Sequence, residues 1–149
     1  FYPIDLEDER IMEVAAFAQA HGLPILIDLG IDPALADFTQ VAERYPDVKF
    51  IVAHLGGILF EQTIEKAKRV NNVYLDTSGY TVTLGRLQKA RDALGASRLI
   101  FGSDAPSEAG GDMRDSLDLI ARLGLTEEEL EAVLSGNLLD VLAASQVWR

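Results

Sequence analysis

The fold is decided by residues 48–57, which read VKFIVAHLGG. The first six residues form an apolar run with the length of a buried strand, and the two glycines predict a loop after it. Three further runs of this kind occupy residues 23–27, 73–75 and 98–101. Successive runs are separated by 24, 24 and 25 residues if they are counted between the markers Ile27, Ile51, Leu75 and Ile100. That interval is long enough for a helix between strands, and it predicts parallel strands.

The segments between the strands carry helical patterns with start and stop signals. Thr126 followed by Glu129 fits a capping box, and Asp32-Pro33 predicts a helix start that runs to Tyr45-Pro46. The other predicted helices cover residues 9–20, 60–70, 84–93 and 113–123, and a short one that begins at Asn137. The predicted order is a helix, four strand and helix units, and one extra helix.

This order predicts a single α/β domain over residues 1–149. Four parallel strands make about half of a (β/α)₈ barrel, because a complete barrel takes roughly 250 residues. Half a barrel has two open sheet edges and an exposed inner face. An open doubly wound sheet is the alternative architecture, since periodicity alone does not separate the two.

Composition excludes several classes of function. A formal net charge of −11 argues against nucleic acid and anionic membranes as partners. The 149 residues contain no cysteine, which excludes disulfides and thiolate ligands, and no apolar run approaches the roughly 20 residues that span a bilayer. A cytoplasmic location is the default expectation. The chain opens at Phe1 rather than methionine, and we expect that something preceded it.

An ionisable residue follows each apolar run. These residues are Asp28, His54, Asp76 and Asp104, each followed by glycine or another loop former. The carboxyl ends of parallel strands meet at one rim, which is where ligands bind in such folds. We therefore expect Asp28, His54 and Asp104 to converge around a common hollow. The only other histidine, His21, is expected to be structural because it lies at a helix C-terminus.

Histidine and aspartate are suitable ligands for a divalent metal that activates water, and zinc is the first candidate. Asp104 would serve as ligand, base or both. The alternatives are structural: His54 would be a hydrogen-bonded core histidine, and Asp104 a turn former. For Asp28 the choice lies between bonds to backbone amides and a polar site. The Asp76-Thr77-Ser78 segment is expected to organise its loop.

Two of these motifs resemble those of a known family. Residues 53–57 (AHLGG) and 101–106 (FGSDAP) resemble the strand-six and strand-eight signatures of amidohydrolase family 2, and residues 76–79 (DTSG) resemble its strand-seven motif. Phe1-Tyr2-Pro3 resembles the stretch after strand four, and residues 137–139 resemble the final helix. The resemblance covers nearly the whole chain. It implies β5 to β8 of a TIM barrel.

The resemblance also implies an enzyme with a single divalent metal, Zn²⁺ first and Mn²⁺ or Mg²⁺ as alternatives. It would act on C–N, C–O or C–C bonds of a small substrate by hydrolysis or decarboxylation. Asp104 and His54 would be the metal ligands and the catalytic residues. Asp28, Gly56 and Ser78 are the candidate substrate-binding residues.

The chain departs from the family pattern in two ways. The histidine pair of strand one has no counterpart, because His21 and His54 are the only histidines. Asp28 stands where many members have a strand-five histidine, which shifts metal preference toward oxygen ligands. These two departures predict an incomplete metal site. In addition, no lysine ends a strand, which argues against a carbamylated lysine between two metals.

Three hypotheses follow. The first is a metal-dependent hydrolase or decarboxylase that is completed by a missing N-terminal half or by a second polypeptide. The second is a phosphate-binding half-barrel in which Gly56-Gly57 opens a helix and holds an anion. The third is a non-catalytic half-barrel that associates with a copy of itself.

Overall fold

The computed structural model describes residues 5–106 and 112–143 of the chain. It contains one four-stranded parallel sheet whose spatial order is the order along the chain. The strands are β1 (Ile25–Ile27), β2 (Phe50–Val52), β3 (Val73–Asp76) and β4 (Leu99–Ile100). This order has no reversal of direction, whereas a doubly wound sheet has one at its switch point. The sheet is therefore arranged like a segment of a barrel.

The helices alternate with the strands. They are α1 (Glu9–His21), α2 (Thr39–Arg44), α3 (Phe60–Ala67), α4 (Leu84–Leu94), α5 (Met113–Ala121), α6 (Glu127–Glu131) and α7 (Asn137–Ala143). A π-helical turn, Ala132–Gly136, connects α6 to α7. None of the helices in the described part of the chain has the length and apolarity needed to cross a membrane.

The predicted capping box of α6 is confirmed, and α1 has a cap at each end. The side chain of Asp8 accepts a hydrogen bond from the Arg10 backbone N–H, and Gly22 ends α1 in the left-handed conformation at φ 64°. The capping box of Thr126 and Glu129 is present in both directions. Local polar residues thus set these helix ends.

The predicted helix start at Asp32-Pro33 is wrong, because α2 begins only at Thr39. The Asp32 carboxylate accepts from the Ala34 N–H at 2.9 Å, and Asp37 accepts from the Thr39 N–H at 3.0 Å and from its hydroxyl at 2.6 Å. These short-range bonds occupy backbone donors and favour turns over a continuous helix. Two apolar residues of this segment still pack inward, since Ala36 is buried and Phe38 is fully buried.

Two polar side chains tie the ends of strands and helices together. The Asn72 amide donates to the carbonyls of Ala42, Tyr45 and Val48 at 2.9–3.0 Å. The Arg98 guanidinium donates to three carbonyl oxygens, which belong to Ala67, Val70 and Val73. These bonds satisfy carbonyl groups at the end opposite to the strand carboxyl termini.

The edge of the sheet at β4 is covered, which corrects the expectation of two open edges. The Phe101 N–H donates to the Val133 carbonyl at 2.9 Å. The buried Asn137 amide donates to the carbonyls of Leu99 at 2.7 Å and Ala96 at 2.9 Å. These groups take the place of a neighbouring strand. The expectation holds at β1, where the Leu26 side chain is 66% exposed.

The two faces of the sheet are packed differently. The main core contains Phe50 and Val52 of β2, which lie on the face that the helices α1 to α5 cover. Ile51, on the opposite face, belongs to a separate small cluster with Ile100 and Val141. Helix α7 therefore covers part of the inner face that the sequence predicted to be exposed.

Candidate active site

The carboxyl ends of the four strands surround one hollow of about 440 Å³. Asp28 follows β1, His54 follows β2, Asp76 ends β3 and Asp104 lies beyond β4, and all four residues line this hollow. The structure thus brings together Asp28, His54 and Asp104, as the positions of these residues after the strands predicted. It also adds Asp76, which the sequence reasoning assigned only to loop structure.

His54 lies in a strained turn. His54 and Leu55 have φ angles of 58° and 54°, and Gly56 and Gly57 follow with φ of 83° and 56°. A non-glycine residue in this left-handed region costs about 1–3 kcal/mol, and such residues cluster at functional sites. Packing holds the turn in place, because Leu55 is fully buried. The result is a half-buried imidazole at the rim of the hollow.

His54 hydrogen bonds to the loop after β3. Its Nδ1 lies 2.9 Å from the Ser78 hydroxyl oxygen and 3.3 Å from the Ser78 carbonyl oxygen. The Ser78 hydroxyl donates to Asp76 Oδ2 at 2.6 Å, and the Ser78 backbone N–H donates to Asp76 Oδ1 at 2.8 Å. The expectation that Asp76 organises this loop is confirmed. The same contacts connect its carboxylate to the histidine through Ser78.

Two glycines make this network possible. A Cβ atom at Gly79 would lie 2.7 Å from His54 Nδ1, and one at Gly102 would lie 2.3 Å from Asp76 Oδ1. Real side chains do not tolerate either distance. The imidazole and the carboxylate are therefore packed directly against backbone, which fixes their positions.

Burial raises the pKa of the Asp76 carboxyl above its ordinary value. The hydrogen bonds from Ser78 and the nearby His54 act in the opposite direction but do not cancel the effect of burial. A carboxyl group that is shifted by burial, contacts a polar network and lies in a hollow is typical of functional sites. Sequence reasoning missed this role because residues 54 and 76 meet only through the fold.

The two other aspartates are exposed. Asp104 has an exposed side chain and a left-handed backbone at φ 59°. Asp28 is also exposed, and its carboxylate accepts from the Gly30 N–H at 3.0 Å. Both alternatives considered for Asp28 thus apply at once, since it bonds to a backbone amide and lines the hollow.

The structure does not support substrate binding by Gly56. Gly56 is buried, and a Cβ atom there would lie 2.0 Å from Thr63 Oγ1, so this backbone faces α3 and not the hollow. Ser78 does line the hollow but is only 3% exposed. Its hydroxyl group is engaged by Asp76 and His54.

The donor types around the hollow fit a divalent cation, but the coordination set is incomplete. Carboxylate oxygen and imidazole nitrogen are ligands for zinc and manganese. However, no three such side chains within residues 5–106 and 112–143 lie close enough together to hold a metal ion. The described residues thus supply suitable donor types at the hollow but not a complete set of ligands.

Comparison with known proteins identifies a family whose sequence model matches most of the chain. The sequence model of the amidohydrolase family, Amidohydro_2, matches residues 2–142. No match was found among curated proteins. The described fold also matches many solved structures.

Three of the solved structures illustrate the match. An uncharacterised TIM-barrel protein, Bb4693 from Bordetella bronchiseptica, aligns with a TM-score of 0.74 and 21% identity over 95% of this chain and 53% of its own. A 2,6-dihydroxybenzoate decarboxylase from Rhizobium aligns with a TM-score of 0.71 and 14% identity over 95% and 58%. A dihydroxybenzoic acid decarboxylase from Polaromonas sp. JS666, which has bound manganese and the inhibitor 2-nitroresorcinol, aligns with a TM-score of 0.69 and 19% identity over 95% and 56%. The chain spans a little over half the length of these barrels.

Proposed function

The chain belongs to the amidohydrolase family, and from that premise we propose that it supplies the C-terminal half of the active site of a divalent-metal-dependent enzyme. The reaction is hydrolysis of a C–N or C–O bond, or decarboxylation, of a small organic substrate. One observation carries the proposal: Asp28, His54 and Asp104 line a single hollow at the carboxyl ends of adjacent parallel strands. Active sites of barrel enzymes lie at that face.

In this proposal Asp104 is a metal ligand and the proton acceptor, and His54 lies beside the metal as a second ligand or as the residue that polarises substrate or water. The Asp104 carboxylate is exposed at the hollow and is free of the packing that confines Asp76. His54 offers its second ring nitrogen, Nε2, because Nδ1 is occupied by Ser78. Asp28 contributes a carboxylate for substrate or metal, while Ser78 acts on His54 and not on the substrate.

We propose a single ion, with Zn²⁺ as the first candidate and Mn²⁺ or Mg²⁺ as alternatives. The carboxylates of Asp28 and Asp104 favour the oxygen-preferring ions, and the related decarboxylase from Polaromonas was solved with manganese. A bound ion of this kind supplies Lewis acidity, which polarises a substrate oxygen or lowers the pKa of water. Asp104 would accept a proton from the reacting groups, and His54 would use Nε2 either as a second ligand or to polarise substrate or water, because Nδ1 is held by Ser78.

Further ligands must come from outside the described residues, because these do not hold three metal donors together. We propose that another polypeptide segment supplies them by docking at the β1 edge, either an N-terminal half-barrel or a second copy of the chain. This edge has the exposed side chains of Leu26, Ile31 and Val14 around a cavity of about 840 Å³. We expect a small-molecule substrate and a cytoplasmic location.

Calorimetric titration of the metal-free chain with Zn²⁺, and separately with Mn²⁺, tests this function. We expect binding that Asp104→Ala weakens at least tenfold, while Asp115→Ala, the same change on the exposed surface of α5, leaves it unchanged. Equal affinity of the Asp104→Ala and wild-type chains would refute the ligand assignment. Binding of inorganic phosphate in place of the metals would favour the anion-binding alternative.

A further inference from the structure

We propose that Asp76 and Ser78 are positioning residues that hold neutral His54 in the tautomer with its proton on Nδ1, which leaves Nε2 as the basic nitrogen. His54 lies after β2, Asp76 is the last residue of β3, and Ser78 lies in the loop that follows β3. This inference rests on the proposed function in one respect: a basic nitrogen at the hollow has a use there as a metal ligand or proton acceptor.

The Ser78 hydroxyl has a single proton and two neighbours that could accept it. This hydroxyl lies 2.6 Å from Asp76 Oδ2 and 2.9 Å from His54 Nδ1. Both Ser78 donors point to Asp76, the backbone N–H to Oδ1 and the hydroxyl to Oδ2, so the hydroxyl proton goes to the carboxylate. The Ser78 oxygen then has only lone pairs to offer His54, and Nδ1 must donate.

The second step uses a different acceptor. The Ser78 carbonyl oxygen lies 3.3 Å from the same Nδ1, and a carbonyl oxygen can only accept. Both neighbours of Nδ1 therefore require a proton on that nitrogen. In a neutral imidazole the other nitrogen, Nε2, then carries the lone pair.

Packing keeps the three groups in this arrangement. Ser78 is only 3% exposed, so water has little access to replace either hydrogen bond. Gly79 lies against the imidazole and Gly102 lies against the Asp76 carboxylate, each at a distance that excludes a Cβ atom. Contacts of this kind around a ligand histidine fix both the ring orientation and the tautomer.

The test is ¹⁵N NMR of the histidine side chains in the full, metal-free chain at pH 8. The chain has only two histidines, and His21→Asn assigns the signals. His21 is an internal reference, because its Nδ1 lies 2.9 Å from the Phe17 carbonyl and must also donate. We expect His54 to show a protonated Nδ1 and an unprotonated Nε2. The Nε2-protonated form as the major species would overturn the inference without any variant.

Two substitutions sharpen the test. In Asp76→Asn the amide N–H₂ donates to Ser78, so the serine proton turns toward His54 Nδ1, and we expect the Nε2–H form to rise from a minority to the majority. In Ser78→Ala the carbonyl remains the only acceptor, so we expect a smaller rise. Asp115→Asn is the matched control and should change nothing. An unchanged His54 tautomer in a folded Asp76→Asn chain would contradict the proposal.

The outcome is separable from that of the proposed function, because neither metal nor substrate is present. A chain with the expected tautomer that binds no Zn²⁺ or Mn²⁺ would remove the metal assignment and leave this inference intact. A chain that binds metal through Asp104 but has His54 protonated on Nε2 in the metal-free state would do the reverse.

Discussion

At the scale of single residues, the site depends on positions that have no room for a larger side chain. Asp76 is confined by Gly102 on one side and bonded to Ser78 on the other. The aspartates and the histidine at the strand ends could be predicted from sequence. Each follows an apolar strand directly, and the carboxyl ends of parallel strands meet at one rim. Their hydrogen-bond partners could not, since His54 and Ser78 are 24 residues apart and meet only after folding.

Replacement of Gly102 tests this confinement. We expect Gly102→Ala to destabilise the chain by about 1–3 kcal/mol, because the added methyl group overlaps the Asp76 carboxylate. Gly85→Ala is the matched control: nothing lies within 4 Å of that site in α4, and alanine favours a helix by up to about 1 kcal/mol. Urea denaturation measures both changes. Equal stabilities of the two variants would show that Gly102 is not confined.

At the scale of elements, caps and edges determine where the helices and strands stop. The capping box of Thr126 and Glu129 could be predicted from the sequence because a cap involves residues only a few positions apart. The turns before α2 could not be predicted in this way. The apolar pattern there indicated a helix, but Asp32 and Asp37 accept hydrogen bonds from backbone N–H groups and favour turns. The covered edge at β4 was also unreadable, since Asn137 reaches back about 40 residues.

The stabilisation of the fold by the N-cap residue of α1, Asp8, depends on pH. The hydrogen bond and ion pair with Arg10 lower the pKa of Asp8 to about 2. The carboxyl of an unfolded aspartate has a pKa of about 3.9. The stabilisation by the Asp8 carboxylate is therefore fully present above that pH and is lost as the pH falls toward 2. We expect Asp8→Asn to reduce the loss of stability between about pH 4 and pH 2, as followed by circular dichroism. An identical acid profile for both chains would contradict the cap assignment.

The edge at β4 depends on Asn137. We expect Asn137→Ala to cost about 1–3 kcal/mol, because the carbonyls of Leu99 and Ala96 lose their buried donor. Asn71→Ala, at an exposed position before β3, should change the free energy of unfolding by less than about 0.5 kcal/mol. Denaturant titration distinguishes these outcomes. A neutral Asn137→Ala would mean that the edge does not need the amide.

At the scale of the whole molecule, the two edges of the sheet differ. The β4 edge is satisfied within the chain, whereas β1 presents Leu26 and its neighbouring apolar cavity. Strand spacing predicted four parallel strands with helices between them, but the choice between a half-barrel and a doubly wound sheet required the strand order of the fold. The sequence did not predict which edge is open, because that depends on where α7 packs.

Association should therefore involve β1. We expect light scattering to give a mass above 16.3 kDa that rises with concentration, since an open apolar strand edge pairs with other chains. A charge at the centre of β1, in Leu26→Lys, should restore the mass of a single chain. Leu139→Lys, at another exposed apolar position, is the control and should still associate. A wild-type chain that stays at 16.3 kDa at all concentrations would exclude self-association through this edge.

A metal site at the hollow is tested most directly by titration of the chain with Mn²⁺ while the ring signals of His54 and His21 are followed by NMR. A paramagnetic ion broadens nearby nuclei, so even a weak, incomplete site is detected. We predict that His54 broadens at lower Mn²⁺ concentration than His21, and that Asp104→Ala abolishes the difference. Parallel broadening of both histidines in the wild-type chain would contradict a metal site at this hollow.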